Sequence, residues 1–178
     1  MEGVLGYIAL GTNLGDRAGH LRSALHGLRR AQGITVLGCS PIYEAAAHTL
    51  DLTERQPAYL NAVAEVRTAY SPSDLLAICQ RLELAAGRSR RVRWAPRTLD
   101  LDLLTLGMQR FSGPDLELPH PRLAERRFVL QPWADLSPNH YIGDPFGATV
   151  AALLSQCPDR GAIRRTNIAW QIFSDVDS

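Results

Sequence analysis

The sequence contains no lysine, and its nineteen positively charged side chains are therefore all arginines. This absence excludes a Walker-type phosphate-binding lysine, a Schiff base and a lysine nucleophile. With 18 acidic side chains the formal net charge is +1, which does not predict binding of polyanions by bulk charge. If the protein binds a nucleotide, arginines and metal ions must neutralise the phosphates.

Cysteine is also scarce, and long apolar runs are absent. Cys39, Cys79 and Cys157 are widely spaced and form neither a C-x-x-C motif nor a zinc-binding pattern. We therefore expect buried thiols in a reducing compartment. The N-terminal sequence MEGVLGYIALG lacks the features of a secretion signal, and no apolar run approaches the ~20 residues that span a membrane. These features predict a cytoplasmic protein with no membrane partner.

The length of 178 residues and the apolar content of 46% fit one domain with a hydrophobic core, residues 1–178. Apolar runs and alternating patterns predict strands over residues 4–10, 34–44, 59–68 and 100–106. Helices are predicted after Asp16, after Ser71 and over 150–154. The order β, α, β, β, α, β with later helices predicts an α+β fold, a ferredoxin-like antiparallel sheet in a single-domain sandwich.

The helix after Ser71 has clear boundary signals. It begins at Ser71-Pro72-Ser73-Asp74, where a serine cap, a proline and an acid occupy favoured positions, and Gly87 can end it. Gln80 and Glu83 are expected at the edge of its buried face, close to the loop that follows. That buried face is predicted to comprise Leu75, Ile78, Leu82 and Ala85.

Residues 88–104, with the sequence RSRRVRWAPRTLDLDLL, place opposite charges next to each other. Asp100 and Asp102 lie two residues apart in a predicted strand, so their carboxylates should project from one face. The leucines at 99, 101 and 103 would then line the other face, in the core. Just before them come five arginines: Arg88, Arg90, Arg91, Arg93 and Arg97.

This combination predicts metal-assisted chemistry on phosphates. Two carboxylates without a neighbouring histidine or cysteine suit Mg²⁺ better than zinc, and guanidinium groups suit phosphate. Simpler interpretations exist, because a D-x-D pattern is commonly a solvated face or an ion pair, and an arginine run can be a solvated loop or a nucleic-acid patch. Because the arginine run lies next to the aspartate pair, we favour the interpretation as a metal and phosphate site. Two neighbouring carboxylates near a buried edge are energetically costly without a cation.

Other segments carry weaker signals. Residues 45–57 are predicted to form a loop of a length that commonly covers a site. Tyr59 and Asn61 share one face of the next strand and could bind a heterocycle, although such residues are also ordinary in sheets. The sequence GTNLG at 11–15 could cradle a phosphate, but we interpret it as a structural turn. His120 lies between two prolines and is expected to be held rigidly.

Four segments in this order resemble the hydroxymethyldihydropterin pyrophosphokinase (HPPK) family of folate biosynthesis. They are YIALGTNLGD at 7–16, QPAYLNAV at 56–63, QRLELAAGRSRRVRWAPRTLDLDLL at 80–104 and LPHPRLAERRFVLQP at 118–132. The resemblance is strongest over residues 4–138, and it assigns no role to the tail from about residue 164 to residue 178.

The resemblance implies transfer of the diphosphate of ATP to the hydroxymethyl group of 6-hydroxymethyl-7,8-dihydropterin, with release of AMP. It implies that Asp100 and Asp102 hold two Mg²⁺ ions as cofactors. It also implies that Arg88 and Arg97 are catalytic residues that steady the diphosphate. The implied ATP-binding residues are Gln80, Glu83, Arg90, Trp94, His120 and Arg126.

The resemblance also implies a pterin site. Tyr59 and Phe128 would sandwich the pterin ring, and Asn61 would bond its edge. The arginine-bearing loop and the loop before Tyr59 would close over the substrates. The expected partners are therefore small molecules, ATP and a reduced pterin, with no nucleic acid, and we expect a monomer.

The sequence departs from the family in two loops. Ala45-Ala46-Ala47-His48 stands where the family usually shows a Thr-x-Pro-x-Gly type of segment, and Ala95 replaces a usual glycine. One alternative is therefore an ATP- and Mg²⁺-dependent diphosphotransferase with a different acceptor. A second alternative is an RNA-binding ferredoxin-like module, but such a module would carry exposed aromatics on its strands, and these strands are mainly aliphatic.

Overall fold

The computed structural model describes residues 3–46, 57–87 and 98–170. Its first five strands are β1 (Val4–Thr12), β2 (Ile34–Cys39), β3 (Tyr43–Ala45), β4 (Tyr59–Thr68) and β5 (Asp100–Leu106). The helices are α1 (Arg17–Arg30), α2 (Pro72–Ala85), α3 (Arg127–Leu136) and α4 (Val150–Gln156). Shorter strands follow β5, namely β6 (Phe111–Ser112), β7 (Glu117–Leu118), β8 (Tyr141–Ile142), β9 (Ala148–Thr149) and β10 (Ile163–Arg165).

The central sheet is antiparallel, with the strand order β10–β3–β4–β1–β5 and with β2 also paired to β4. β2 and β3 pair with successive parts of β4 and together take the place of one strand. The resulting order, β5–β1–β4–β2/β3, is that of a ferredoxin-like sheet. The predicted α+β class is therefore confirmed.

The single strand predicted over residues 34–44 is wrong, because this segment forms two strands, β2 and β3. The ladder between β2 and β4 is irregular between Val36 and Gly38. Ser40 leaves the strand pattern but keeps contact with β4, since its Oγ accepts the Val63 N–H at 2.9 Å. Pro41 has no N–H to donate to a ladder, so pairing resumes only at Tyr43.

The two faces of the sheet carry different helices. Helices α1 and α2 pack on one face, in a core cluster that includes Leu60, Ala62 and Leu101. Helices α3 and α4 pack on the other face, in a cluster that includes Val63 and Leu104. We call these the α1/α2 face and the α3/α4 face. Within residues 3–46, 57–87 and 98–170, no helix is long and apolar enough to cross a membrane.

The predicted starts of the helices are confirmed, but α4 extends to Gln156, beyond the predicted end at Leu154, and the buried face of α2 is shifted. Asp16 caps α1 by accepting the Gly19 N–H, and Ser71 caps α2 by accepting the Asp74 N–H. Ala85, predicted to be buried, is exposed. The buried residues of α2 are Pro72, Leu75, Ile78, Cys79 and Glu83.

The C-terminal segment has a structural role that the sequence did not indicate. Strand β10 pairs antiparallel with β3 and extends the sheet by one strand. Farther along, the Trp170 Nε1–H donates to the Ser40 carbonyl at 2.8 Å. Part of the tail is therefore attached to the sheet, and residues 171–178 lie outside the described ranges.

Candidate active site

Asp100 and Asp102 project from the same face of β5, as predicted. The intervening Leu101 and the flanking Leu99 and Leu103 are buried in the core of the α1/α2 face. The two aspartates are partly exposed and lie on the α3/α4 face. Two hard oxygen ligands are thus held side by side by a strand whose other face is anchored in the core.

Gly11 of β1 forms a floor without a side chain between the aspartates and β4. In the sheet register, Gly11 lies between Asn61 of β4 and Asp100 of β5. An ideal Cβ on Gly11 would lie 3.5 Å from Asn61 Oδ1, and 3.9 Å from both Tyr59 Cδ1 and Asp100 Cβ. Gly11 was predicted only as part of a structural turn and not as a site residue. A glycine inside a strand often marks close approach of a ligand, and that signal was available.

Asn61 faces this floor with an unused donor. Its side chain is 95% buried, with a relative exposure of 5%. Its Nδ2 has no hydrogen-bond partner in the described part of the chain. A buried amide without a partner is costly, so this group is well placed to bond a ligand. Tyr59, two residues earlier on the same face, is partly exposed.

Arg126, just before α3, contacts the aspartate pair. Its Nη1–H donates to Asp102 Oδ2 at 3.0 Å. Its guanidinium carbon also lies 6.0 Å from the centre of the Phe128 ring, in the first turn of α3. The structure therefore brings the predicted nucleotide residue Arg126, the predicted pterin residue Phe128 and the predicted metal ligand Asp102 together.

His120 completes this group. Its Nδ1 accepts the Arg122 N–H at 3.1 Å, so the neutral ring carries its proton on Nε2. Nε2 lies 3.4 Å from Arg126 Nη1. Burial lowers the pKa of His120, and the charge of Arg126 lowers it further. His120 and Arg126 thus lie together next to Asp102, and a neutral His120 with its proton on Nε2 would add a second N–H donor suited to an anion.

Glu83 was predicted at the edge of the buried face of α2, and the structure buries it fully, with 3% of its surface exposed. Its Oε1 accepts the Leu101 N–H at 2.8 Å. Gln80, one turn earlier on α2, is partly exposed, as predicted. The remaining predicted site residues, Arg88, Arg90, Trp94 and Arg97, lie outside the described ranges, as do residues 47–56 of the predicted covering loop.

The turn after β1 positions the start of β4. Arg17 Nη1–H donates to the Ala58 carbonyl at 2.6 Å and to Glu44 Oε1 at 3.0 Å. Asn13 Nδ2–H donates to the Pro57 carbonyl at 3.4 Å. These bonds support the interpretation of residues 11–15 as a structural turn. Arg17 was not identified from the sequence, because its partners lie far along the chain.

The lowered pKa values of two histidines predict a pH-dependent stability. Burial lowers the pKa of both His120 and His140 in the folded protein, while the nearby Glu65 partly opposes the shift at His140. The unfolded chain, with histidine pKa values of about 6.5, then binds more protons as the pH falls. The free energy of unfolding is therefore expected to be highest above pH ~7 and to fall as the pH drops through ~6.5.

Urea denaturation between pH 7.5 and 6.0 tests this expectation. The fall in the free energy of unfolding should be shallower in His140→Gln than in the wild-type protein. An equal dependence of the free energy of unfolding on pH in the wild-type protein and in His140→Gln would show that His140 does not contribute to the fall.

The sequence of the chain identifies its family. Residues 7–138 match the profile of the family described as 7,8-dihydro-6-hydroxymethylpterin-pyrophosphokinase, HPPK. The chain belongs to the HPPK family. The matched range includes Asp100 and Asp102, together with His120, Arg126, Tyr59 and Asn61.

Individual HPPK relatives agree with this assignment. The chain is 42% identical over 132 residues to the 2-amino-4-hydroxy-6-hydroxymethyldihydropteridine pyrophosphokinase of Bacillus subtilis, over 74% of this chain and 77% of that protein. It is 39% identical over 158 residues to the protein of the same name from Pseudomonas aeruginosa, over 89% of this chain and 94% of that one. The crystal structure of wild-type Plasmodium falciparum HPPK-DHPS with SDX-DHP aligns with a TM-score of 0.66 at 14% identity, over 87% of this chain and 44% of that chain. That likeness shows the shared HPPK fold.

Proposed function

We propose that the α3/α4 face around Gly11 is where this HPPK-family enzyme transfers the diphosphate of ATP to the hydroxymethyl group of 6-hydroxymethyl-7,8-dihydropterin. One observation carries the proposal. The register of three strands brings Asn61, Gly11 and Asp100 into one row, in which a glycine without a side chain lies between an amide with an unpartnered Nδ2 and a carboxylate. This row can hold the substrate that receives the diphosphate beside a group that binds phosphate.

The half of the site formed by β4 and α3 suits a flat heterocycle. Gly11 has no side chain to block a ring lying on the strand, and the Asn61 Nδ2–H can donate to an acceptor on its edge. Tyr59 and Phe128 supply aromatic surfaces for stacking. A pterin bound there would have its hydroxymethyl group toward Asp100.

The half formed by β5 and the approach to α3 suits the nucleotide. Arg126 donates to Asp102, and His120 Nε2 lies 3.4 Å from the same guanidinium nitrogen, so a phosphate bound beside Asp102 would meet both side chains. We further propose, from the family resemblance, that Gln80, Arg90 and Trp94 bind the nucleotide. On the same ground, Arg88 and Arg97 steady the diphosphate during transfer.

Asp100 and Asp102 fit a Mg²⁺ site by the chemistry of their donor set. Their oxygens are hard ligands on one face, and Asp102 already pairs with a cation, Arg126, at 3.0 Å. The described residues contain no group of three acidic, histidine or cysteine ligands, so phosphate oxygens and water would complete the coordination. We propose two Mg²⁺ ions here, which supply charge neutralisation of the polyphosphate when bound.

In the proposed reaction, the hydroxymethyl oxygen forms a bond to the β-phosphorus of ATP as the bond between that phosphorus and the AMP oxygen breaks. The hydroxyl proton is released, and AMP leaves. The main contribution of the chain is to position the two substrates. The row of Asn61, Gly11 and Asp100 determines where the pterin lies, and Arg126 and His120 determine where the phosphates lie. Arginine and histidine donors that meet the transferring group lower the barrier by stabilising charge.

Incubation of the protein with ATP, Mg²⁺ and the reduced pterin tests the proposal by measuring AMP. AMP formation that requires the pterin is expected. Binding of Mg²⁺–ATP without pterin-dependent AMP would favour a diphosphotransferase with another acceptor, and would overturn the proposed substrate. Tighter, salt-dependent binding of random RNA than of ATP would instead favour an RNA-binding module.

We also propose a cellular location, the binding partners and an oligomeric state for this enzyme. Cys39, Cys79 and Cys157 are all unpaired in the structure, which supports a cytoplasmic location. The partners of the proposed enzyme are ATP and the pterin, without nucleic acid, and it acts as a monomer.

A further inference from the structure

Glu83 makes a contact that connects helix α2 to the middle of the aspartate pair. Its carboxylate is buried, and its Oε1 accepts the N–H of Leu101 at 2.8 Å. Leu101 is the residue between Asp100 and Asp102. A single buried side chain thus holds the backbone from which both carboxylates project.

The place of β5 in the sheet makes this contact necessary. β5 is the last strand at its end of the described sheet, with β1 as its neighbour on one side. Backbone groups of consecutive strand residues point to opposite edges, so the residues on either side of Leu101 bond to β1 while the Leu101 N–H points away from the sheet. Without Glu83 that buried N–H would lose its acceptor, which is costly.

The two sides of β5 are therefore held by different means. Toward β1, the ladder pairs Asp100 with Gly11 and Asp102 with Ala9. Away from β1, the Glu83 carboxylate takes the place of a further strand. This hydrogen bond from the backbone to a buried carboxyl oxygen fixes an edge strand that carries two repelling carboxylates.

We infer that Glu83 is a positioning residue that fixes the separation of the Asp100 and Asp102 carboxylates, and not a ligand of the nucleotide. This inference rests on the proposed function of the aspartates. Its support is geometric: the carboxylate is buried and is directed at the strand backbone. A carboxylate in direct contact with a polyphosphate would also repel it.

The experiment compares Glu83→Gln, which keeps an oxygen acceptor, with Glu83→Met, which has similar length and no oxygen. A non-hydrolysable ATP analogue is titrated by calorimetry with and without Mg²⁺. Mg²⁺ raises the affinity for the analogue by some factor in the wild-type protein, and this factor is expected to be at least about tenfold smaller in Glu83→Met. The affinity of Glu83→Met without Mg²⁺ should be unchanged. Glu83→Gln should keep most of the gain, and Arg81→Met, exposed on the same helix, should match the wild-type protein.

Hydrogen exchange gives an independent readout. The peptide that contains Leu101 should exchange faster in Glu83→Met than in Glu83→Gln, because only the glutamine can still accept its N–H. If Glu83→Met does not fold, Glu83→Asp replaces it, since the shorter side chain cannot reach the strand and should give the same pattern.

The outcomes separate this inference from the proposed function. Loss of Mg²⁺-free affinity with an intact Mg²⁺ gain would make Glu83 a nucleotide ligand and overturn the inference. Wild-type values in Glu83→Met for both readouts would also overturn it. An absence of any Mg²⁺ gain in the wild-type protein would instead overturn the proposed function, and the inference with it.

Discussion

Asp102→Ala is expected to lower kcat for pterin-dependent AMP formation by about a thousandfold or more while the fold remains intact. A metal clamp on a transferring phosphate stabilises the transition state by several kcal/mol, and each ~1.4 kcal/mol is a factor of ten in rate. The fold should survive because the Asp102 side chain is partly exposed, and its pairing with Ala9 involves only the backbone. Loss of the partly exposed ion pair with Arg126 should cost at most about 1 kcal/mol.

The measurement combines AMP formation with near-ultraviolet circular dichroism and a thermal unfolding curve. Asp115→Ala, which removes an exposed carboxylate elsewhere, is the matched control. It should retain wild-type turnover. An Asp102→Ala protein that folds and turns over within a few fold of wild type would remove Asp102 from the mechanism.

Gly11→Val is expected to abolish binding of the pterin with little change in folding. The backbone at Gly11 does not have a positive φ, and an ideal Cβ would make only ordinary contacts of 3.5–3.9 Å, so a β-branched residue suits this strand position. The two methyl groups of valine would extend beyond that Cβ, into the space between Asn61, Tyr59 and Asp100. We expect kcat/KM for the pterin to fall by about a hundredfold or more, because the ring can no longer lie on the strand.

A graded series tests this steric explanation. Gly11→Ala adds only the tolerated Cβ and should have a much smaller effect than Gly11→Val, while the affinity for the ATP analogue stays near wild type in both. A wild-type KM for the pterin in Gly11→Val, with the protein folded, would show that this floor is not the pterin site.

Local patterns predicted much of the fold. The strand periodicity placed Asp100 and Asp102 on one face and Leu101 in the core, because side chains alternate along a strand whatever its neighbours are. The caps at Asp16 and Ser71 depend only on residues within one turn of the helix, so they were also correct. These features are determined by residues close together in the sequence.

The features that were missed depend on partners far along the chain. Glu83 was expected at the edge of the buried face of α2, and its full burial depends on an N–H eighteen residues later, at Leu101. Ser40 interrupts a strand while keeping its contact with Val63 on a neighbouring strand, which no local pattern reveals. Gly11 becomes a site residue only when β4 and β5 are both in register beside it.

Strand β10 has a consequence for how two molecules of this protein can meet. A bare β3 would offer three residues of unpaired backbone to any passing strand, and β10 occupies them. The new border is itself only three residues long and displays the highly exposed guanidinium groups of Arg164 and Arg165. These guanidinium groups pair with Glu44 and Asp135, and a strand from a second copy would have to cover or displace them, so the short edge formed by the tail disfavours intermolecular strand addition.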